Sequence, residues 1–178
     1  MNHSLAALSV LLLAASCGTG ETPERDMSTS ATARTNPFAE PSALYLHAPD
    51  FTNIRTADFA PAMEAGMKKH IEEVKAIATN PEPATFANTI EALEKSGRAL
   101  SRVSKVFFNL VASNTSDSLQ AINTEMAPKL SAHEDAITMD SALFARVKAI
   151  HDSLATSGLD STSHYLVERY YTRFVRAG

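Results

Sequence analysis

The chain has 178 residues, 44% of them hydrophobic and 20% charged, with a formal net charge of −4. That length suits roughly one domain, and the composition excludes a wholly disordered or collagen-like chain. The acidic balance argues against nucleic acid as a partner, since duplex-binding domains are markedly basic. A single cysteine excludes an intramolecular disulfide and a cysteine-rich zinc site.

Residues 5–16 read LAALSVLLLAAS, an uncharged apolar run too short to span a bilayer as a helix but suited to the h-region of a signal peptide. Small residues Ala14, Ala15 and Ser16 lead directly into Cys17. The run resembles the lipobox of bacterial lipoproteins, which implies acylation of Cys17, export, and anchoring in the cell envelope, on the periplasmic side of the outer membrane. An ordinary secretory signal with a bystander thiol is the plainer alternative. Residues 1–17 are therefore expected to be a lipoprotein-type signal peptide. Residues 18–35, rich in Ser, Thr, Gly and charge, cannot bury enough apolar surface to offset ordering and read as a flexible tether.

Beyond a Pro-punctuated extended stretch (36–54), apolar residues fall into helical spacing. A first stripe runs through Phe59, Met63, Met67, Ile71, Val74 and Ile77 or Ala78, capped by Thr56 or Asp58, with Pro61 tolerated near the first turn. Asn80 and Pro81 stop it. Thr85 opens a second, longer helix carrying Phe86, Ile90, Leu93, Leu100, Val103, Phe107 and Leu110, with Gly97 on the same stripe as a point of close packing. Asp117 and Gln120 have capping-box spacing before Leu119, Ile122, Met126, Leu130, His133 and Ile137, and Pro128 is expected to kink or break that helix near Ala127. A fourth helix, capped by Asp140 or Ser141, carries Leu143, Phe144, Val147, Ile150 and Leu154, with Gly158 as its C-terminal cap. The last begins after Asp160 and carries Leu166, Val167, Tyr170 and Phe174. No segment sustains a period-two pattern. The expected fold class is all-α, with about five amphipathic helices.

The chemistry-bearing residues are sparse. His3, His47, His70, His133, His151 and His164 stand singly, and no two have the three- or four-residue spacing that lets both reach one ion. The run from His133 to Ile137 (HEDAI) lacks the second histidine of a zincin helix, so His133 reads as a side chain at the edge of an apolar stripe. There is no Gly-x-Ser-x-Gly elbow and no glycine-rich phosphate loop. Asn114-Thr115-Ser116 matches a glycosylation sequon, which a bacterial leader makes irrelevant. No catalytic residue and no metal ligand is assigned. Lys95, Arg98, Arg102 and Lys105 repeat at three-four-three spacing. One reading makes them a face that steers an anionic group such as a peptide carboxylate. The blander one, which we favour, is a solvated face with Glu91–Lys95 and Glu94–Arg98 ion pairs. Arg169, Arg173 and Arg176 on the last helix admit the same two readings.

The stretches NPFAEPSALYLHAPDFTNI (36–54), TFANTIEALEKSG (85–97), VFFNLVASNTSDSLQAINTEMAPKLSAHEDAI (106–137), LFARVKAI (143–150) and GLDSTSHYLVERYYTRFVRAG (158–178) together resemble one family. They are similar to the N-terminal region of the bacterial peptidyl-dipeptidases (Dcp, or dipeptidyl carboxypeptidases) of the M3, thimet oligopeptidase-like, zinc metallopeptidases. The resemblance covers about 36 to 178. It implies an almost wholly helical protein of several hundred residues, enclosing a channel that admits oligopeptides and excludes folded proteins. It also implies a zinc ion held by a His-Glu-x-x-His helix and a downstream glutamate, beyond the region matched. Residues 36–178 would then be the helical N-terminal part of an M3 peptidase without its catalytic domain. They would form one wall of the peptide channel, bind no cofactor and be inactive alone. The intact parent would release C-terminal dipeptides from oligopeptides.

The abrupt finish at Arg176-Ala177-Gly178 fits a truncated gene model. The alternatives are a stand-alone helical lipoprotein module that binds peptides or a protein partner, and a structural envelope lipoprotein. Burial of Leu166, Tyr170 and Phe174 separates the first two: a self-sufficient domain buries that face, and a fragment leaves part of it exposed.

Overall fold

The computed structural model describes residues 34–177, and everything below concerns those residues. The expected signal peptide 1–17, with Cys17, and nearly all of the expected tether 18–35 lie outside them. Among the described residues there is no strand, and no helix is long and apolar enough to cross a membrane. Five long helices and one short one follow in chain order: α1 (Phe59–Ala78), α2 (Ala92–Lys95), α3 (Arg98–Ser113), α4 (Asp117–Thr138), α5 (Ser141–Asp152) and α6 (Ser161–Ala177). The all-α expectation holds.

The ends of these helices show where local chemistry decided the outcome. Asp140 accepts from the backbone of Leu143 at 2.8 Å and caps α5, and Asp160 accepts from Thr162 and Ser163, both at 2.9 Å, ahead of α6. At α4 the cap is Ser116, which accepts from Leu119 at 3.3 Å, while Gln120 donates to Thr115; the expected Asp117–Gln120 box does not form. At α1 the Asp58 carboxylate turns back to accept from Arg55 at 2.7 Å, closing the 3-10 turn Thr56–Asp58 instead of capping the helix. Gly158, at φ 67°, lies beyond a further 3-10 turn (Leu154–Thr156) and so does not cap α5 itself.

Two further expectations need correction. Helix α4 runs unbroken through Pro128. Pro128 and Thr124 are both exposed, so the carbonyl that loses its donor remains open to water. The expected single helix from Thr85 to Leu110 is two. Thr85 does open it, accepting from Asn88 at 3.1 Å, and a π-helical stretch (Phe86–Glu91) passes into α2. The chain then turns at Gly97, which adopts φ 67° before α3 begins. Only glycine takes that conformation without strain.

The helices enclose two apolar clusters. Phe38, Phe59, Met63, Val103, Val106, Phe107, Leu119 and Met126 form an aromatic core between the first half of α1, α3 and the first half of α4. Val74, Ile77, Ile90, Leu93, Ile137, Leu143, Val147, Ile150, Leu154, Val167 and Phe174 form an aliphatic core between the second half of α1, α2, the end of α4, α5 and α6. Each side chain fully buried here contributes about 1.5–3 kcal/mol relative to exposure. At Gly66 an added Cβ would lie 2.8 Å from Leu100 Cα, so the missing side chain is what lets α1 and α3 pack this closely.

Candidate functional site

Helices α1 and α4 each pass from one core to the other, as does the α2–α3 pair, and between the cores all three present polar side chains. His70 lies between Met63 and Val74, His133 between Met126 and Ile137, and Ser96-Gly97 between Leu93 and Val103. These positions meet. His70 Nδ1 is 3.0 Å from His133 Nε2, His70 Nε2 is 3.2 Å from Ser96 Oγ, and Ser96 Oγ is 2.7 Å from the Leu93 carbonyl. The Gly97 amide donates to Glu73 at 2.7 Å, and a Cβ at Gly97 would lie 2.8–2.9 Å from the His70 ring.

The proton positions follow from the chemistry of the chain's last member. A carbonyl only accepts, so the Ser96 hydroxyl donates to Leu93 and must accept from His70 Nε2–H. In neutral His70 that leaves Nδ1 as an acceptor, which His133 Nε2–H fills. The assignment is by hydrogen-bond logic, since ring protons are inferred from their partners. Burial lowers the pKa of both imidazoles below 6.5; at His70 Glu73 opposes this and Arg173 reinforces it, and at His133 the charge on His70 adds to it. The seam holds neutral rings.

Sequence reading placed His133 on the edge of a stripe, and there it lies, buried. It missed the pairing with His70, which is 63 positions away. The available signal was a polar interruption of three apolar stripes at matching depth, together with a helix-disfavouring glycine in one of them.

The cationic residues are dispersed. Lys95 pairs with Glu91 at 2.5 Å, as expected, but Glu94 accepts from Tyr170 at 2.8 Å. Arg102 donates to the Phe38 carbonyl at 3.2 Å and holds the N-terminal segment over the aromatic core. The turn at Gly97 separates Lys95 from the other three, so the spacing does not run along one helix; Arg98 and Lys105 are exposed on α3. On α6, Arg173 pairs with Glu134, and Tyr165, Arg169, Thr172 and Arg176 line an open groove of about 510 Å³ with Glu168 and Arg173. Among the described residues no group of three or more His, Cys, Asp or Glu is placed to hold a metal ion. Nor does the histidine pair fit zinc, because its facing nitrogens are spent on each other.

The fold and this seam define an all-helical module whose polar residues bind its own parts together. No protein-family model matches the chain. It is 40% identical over 144 residues to the dipeptidyl carboxypeptidase of Salmonella typhimurium, and 42% identical over 143 residues to that of Escherichia coli. These stretches are 81% and 80% of this chain, and 21% of each relative. The chain is thus related to the dipeptidyl carboxypeptidases and spans about a fifth of the length of the curated relatives it matches.

Proposed function

We propose that this chain is the helical N-terminal part of an exported, zinc-dependent peptidyl-dipeptidase. The intact enzyme would release C-terminal dipeptides from oligopeptides, and this part would form one wall of its peptide channel. Acylated Cys17 would hold it at the bacterial envelope. The observation that carries the reading is the asymmetry of coverage: four-fifths of this chain aligns with dipeptidyl carboxypeptidases, but only 21% of each of them is accounted for. In this reading zinc and the groups that activate water belong to the remaining part. Exposed Arg98 and Lys105 are the members of the basic set still open to steer an anionic peptide terminus.

Zinc content and dipeptide release from an N-blocked oligopeptide, measured on the full chain, test the proposal. No zinc and no release are expected. Stoichiometric zinc with turnover would overturn it. Metabolic labelling with palmitate tests the anchor, with Cys17→Ser expected to abolish incorporation.

A second reading, a self-sufficient helical lipoprotein module that binds peptides or a partner, rests on the burial of Phe174 on α6, while the partial exposure of Leu166 and Tyr170 on the same face sides with the fragment. Phe174 is buried, and Leu166 and Tyr170 are half-buried within the fold. Capture of oligopeptides by the chain without hydrolysis would support this alternative.

A further inference from the structure

We propose that the histidine seam is a proton-sensitive pin between the two cores: neutral, it locks the α2–α3 turn against α1 and α4, and double protonation releases it. The relay from His133 through His70 and Ser96 to the Leu93 carbonyl requires an acceptor at His70 Nδ1. One added proton is tolerated on His133 Nδ1, since Nε2–H still donates. A second proton must go to His70 Nδ1, which then has no lone pair, and two N–H groups face each other at 3.0 Å.

The groups around the pair set the direction. From α1, Glu73 faces His70 but already accepts from the Gly97 amide. From α2, Glu94 accepts from Tyr170 on α6. From α4, Glu134 is paired with Arg173 of α6, and Arg173 itself disfavours a charge on His70. Glu134 is thus neutralised by Arg173, and Glu73, which does favour a charge on His70, is outweighed there by burial and Arg173. Each folded-state pKa lies below 6.5, so the seam's contribution is fully present above about pH 6.5 and is lost as pH falls through the lowered values.

What moves is set by Gly97. Its left-handed turn is held against α1 by the His70 ring, which lies against the glycine, and by Glu73, which accepts from its amide. Displacing His70 frees this turn, and with it the angle between the α2 segment, seated in the aliphatic core, and α3, seated in the aromatic one. The pin stands independently of the peptidase reading, since it needs no substrate, metal or further domain.

The test is nitrogen-15 NMR of the imidazoles with amide hydrogen exchange, on the full chain. At about pH 8 both rings are expected as Nε2–H tautomers, with a scalar coupling across the hydrogen bond between His133 Nε2 and His70 Nδ1. At about pH 4.5 the coupling is expected to vanish and protection of the Gly97 amide to fall about tenfold or more relative to amides in the middle of α5, in Glu73→Gln as in the wild type, since glutamine still accepts from Gly97 but has no carboxylate to protonate. Absence of the coupling at the higher pH, or Gly97 protection that falls only in step with α5, overturns the proposal. His133→Gln keeps an N–H donor toward His70 but cannot titrate. The pH dependence of its Gly97 protection is expected to follow one proton where the wild type approaches two, and an unchanged slope overturns the coupling of the rings.

Discussion

The two cores share α1 and α4 and differ in how they are closed. In the aromatic core the rings form a continuous series, with Phe38 and Phe59 centroids 5.4 Å apart and Phe59 and Phe107 edge-to-face at 5.2 Å. Its cover is the N-terminal segment, fixed by Arg102 on the Phe38 carbonyl and by Asn36 donating to the Asp58 carbonyl at 2.8 Å. The aliphatic core keeps its aromatics at the rim, where Phe144 stacks with Tyr171 and Phe174 at about 6 Å. Beside that rim a groove of about 470 Å³ opens between the α4–α5 turn and α6, flanked by Met139 at 64% and Val175 at 52% exposure. The aromatic core is covered by its own N-terminal segment on one side and leaves Phe108, against Phe107, 44% exposed, whereas the aliphatic core opens beside a groove.

Truncation within each core should expose that difference most strongly. Phe107 is fully buried and touches rings on two sides, so Phe107→Ala is expected to cost about 3–5 kcal/mol by urea unfolding. Leu143→Ala, equally buried but next in sequence to Phe144, which lines the groove, should fall toward the lower part of the range of about 2–5 kcal/mol if the groove side can relax into the space. Equal losses would mean that the rim is as rigid as the aromatic core.

Gly97 and Gly158 offer a sharper comparison, since both adopt φ 67°. A Cβ at Gly158 meets nothing within 4 Å, so Gly158→Ala should cost only the left-handed strain, about 1–2 kcal/mol. At Gly97 the same strain adds to a collision with the His70 ring. The excess of Gly97→Ala over Gly158→Ala measures how firmly the seam is held, and no excess would show that His70 moves aside freely.

The helical stripes were legible because burial imposes the 3.6-residue period directly on the sequence. Val74, Leu143, Val147 and Phe174 all lie where periodicity put them. The extended stretch before α1 hid its core residue: Phe38 is buried by tertiary packing, and no local period announces it. Helix breaks were misread in both directions. Pro128 is tolerated because its lost hydrogen bond faces water, whereas Gly97 ends a helix because its turn is pinned from outside the helix. The seam was the least legible feature, since each histidine looked isolated until three elements were laid side by side.

Arg146 extends the contrast to polar groups. On α5 it donates to the carbonyls of Asn80 and Glu82 at 2.8 and 3.0 Å, to Asn88 at 2.9 Å and to Thr89 at 3.2 Å. It gathers the 80–89 segment onto the aliphatic core much as Arg102 holds Phe38 over the aromatic one. Arg146→Met, which keeps most of the aliphatic stem, should cost about 1–3 kcal/mol through acceptors left unpaired. Arg102→Met, which removes one good backbone contact, should cost less.

The smallest expected difference lies at two helix starts, one serving each core. Asp140 caps α5 with a short, charge-assisted bond of 2.8 Å, and Leu143, the residue whose amide it accepts, is itself fully buried. Ser116 caps α4 at 3.3 Å from an exposed position, so water can readily replace it. Asp140→Ala should therefore cost about 1–2 kcal/mol, and Ser116→Ala about 0.5 kcal/mol, the low end for a serine cap. If the two losses match, cap strength follows helix propensity alone, and burial of the first capped residue adds nothing to it.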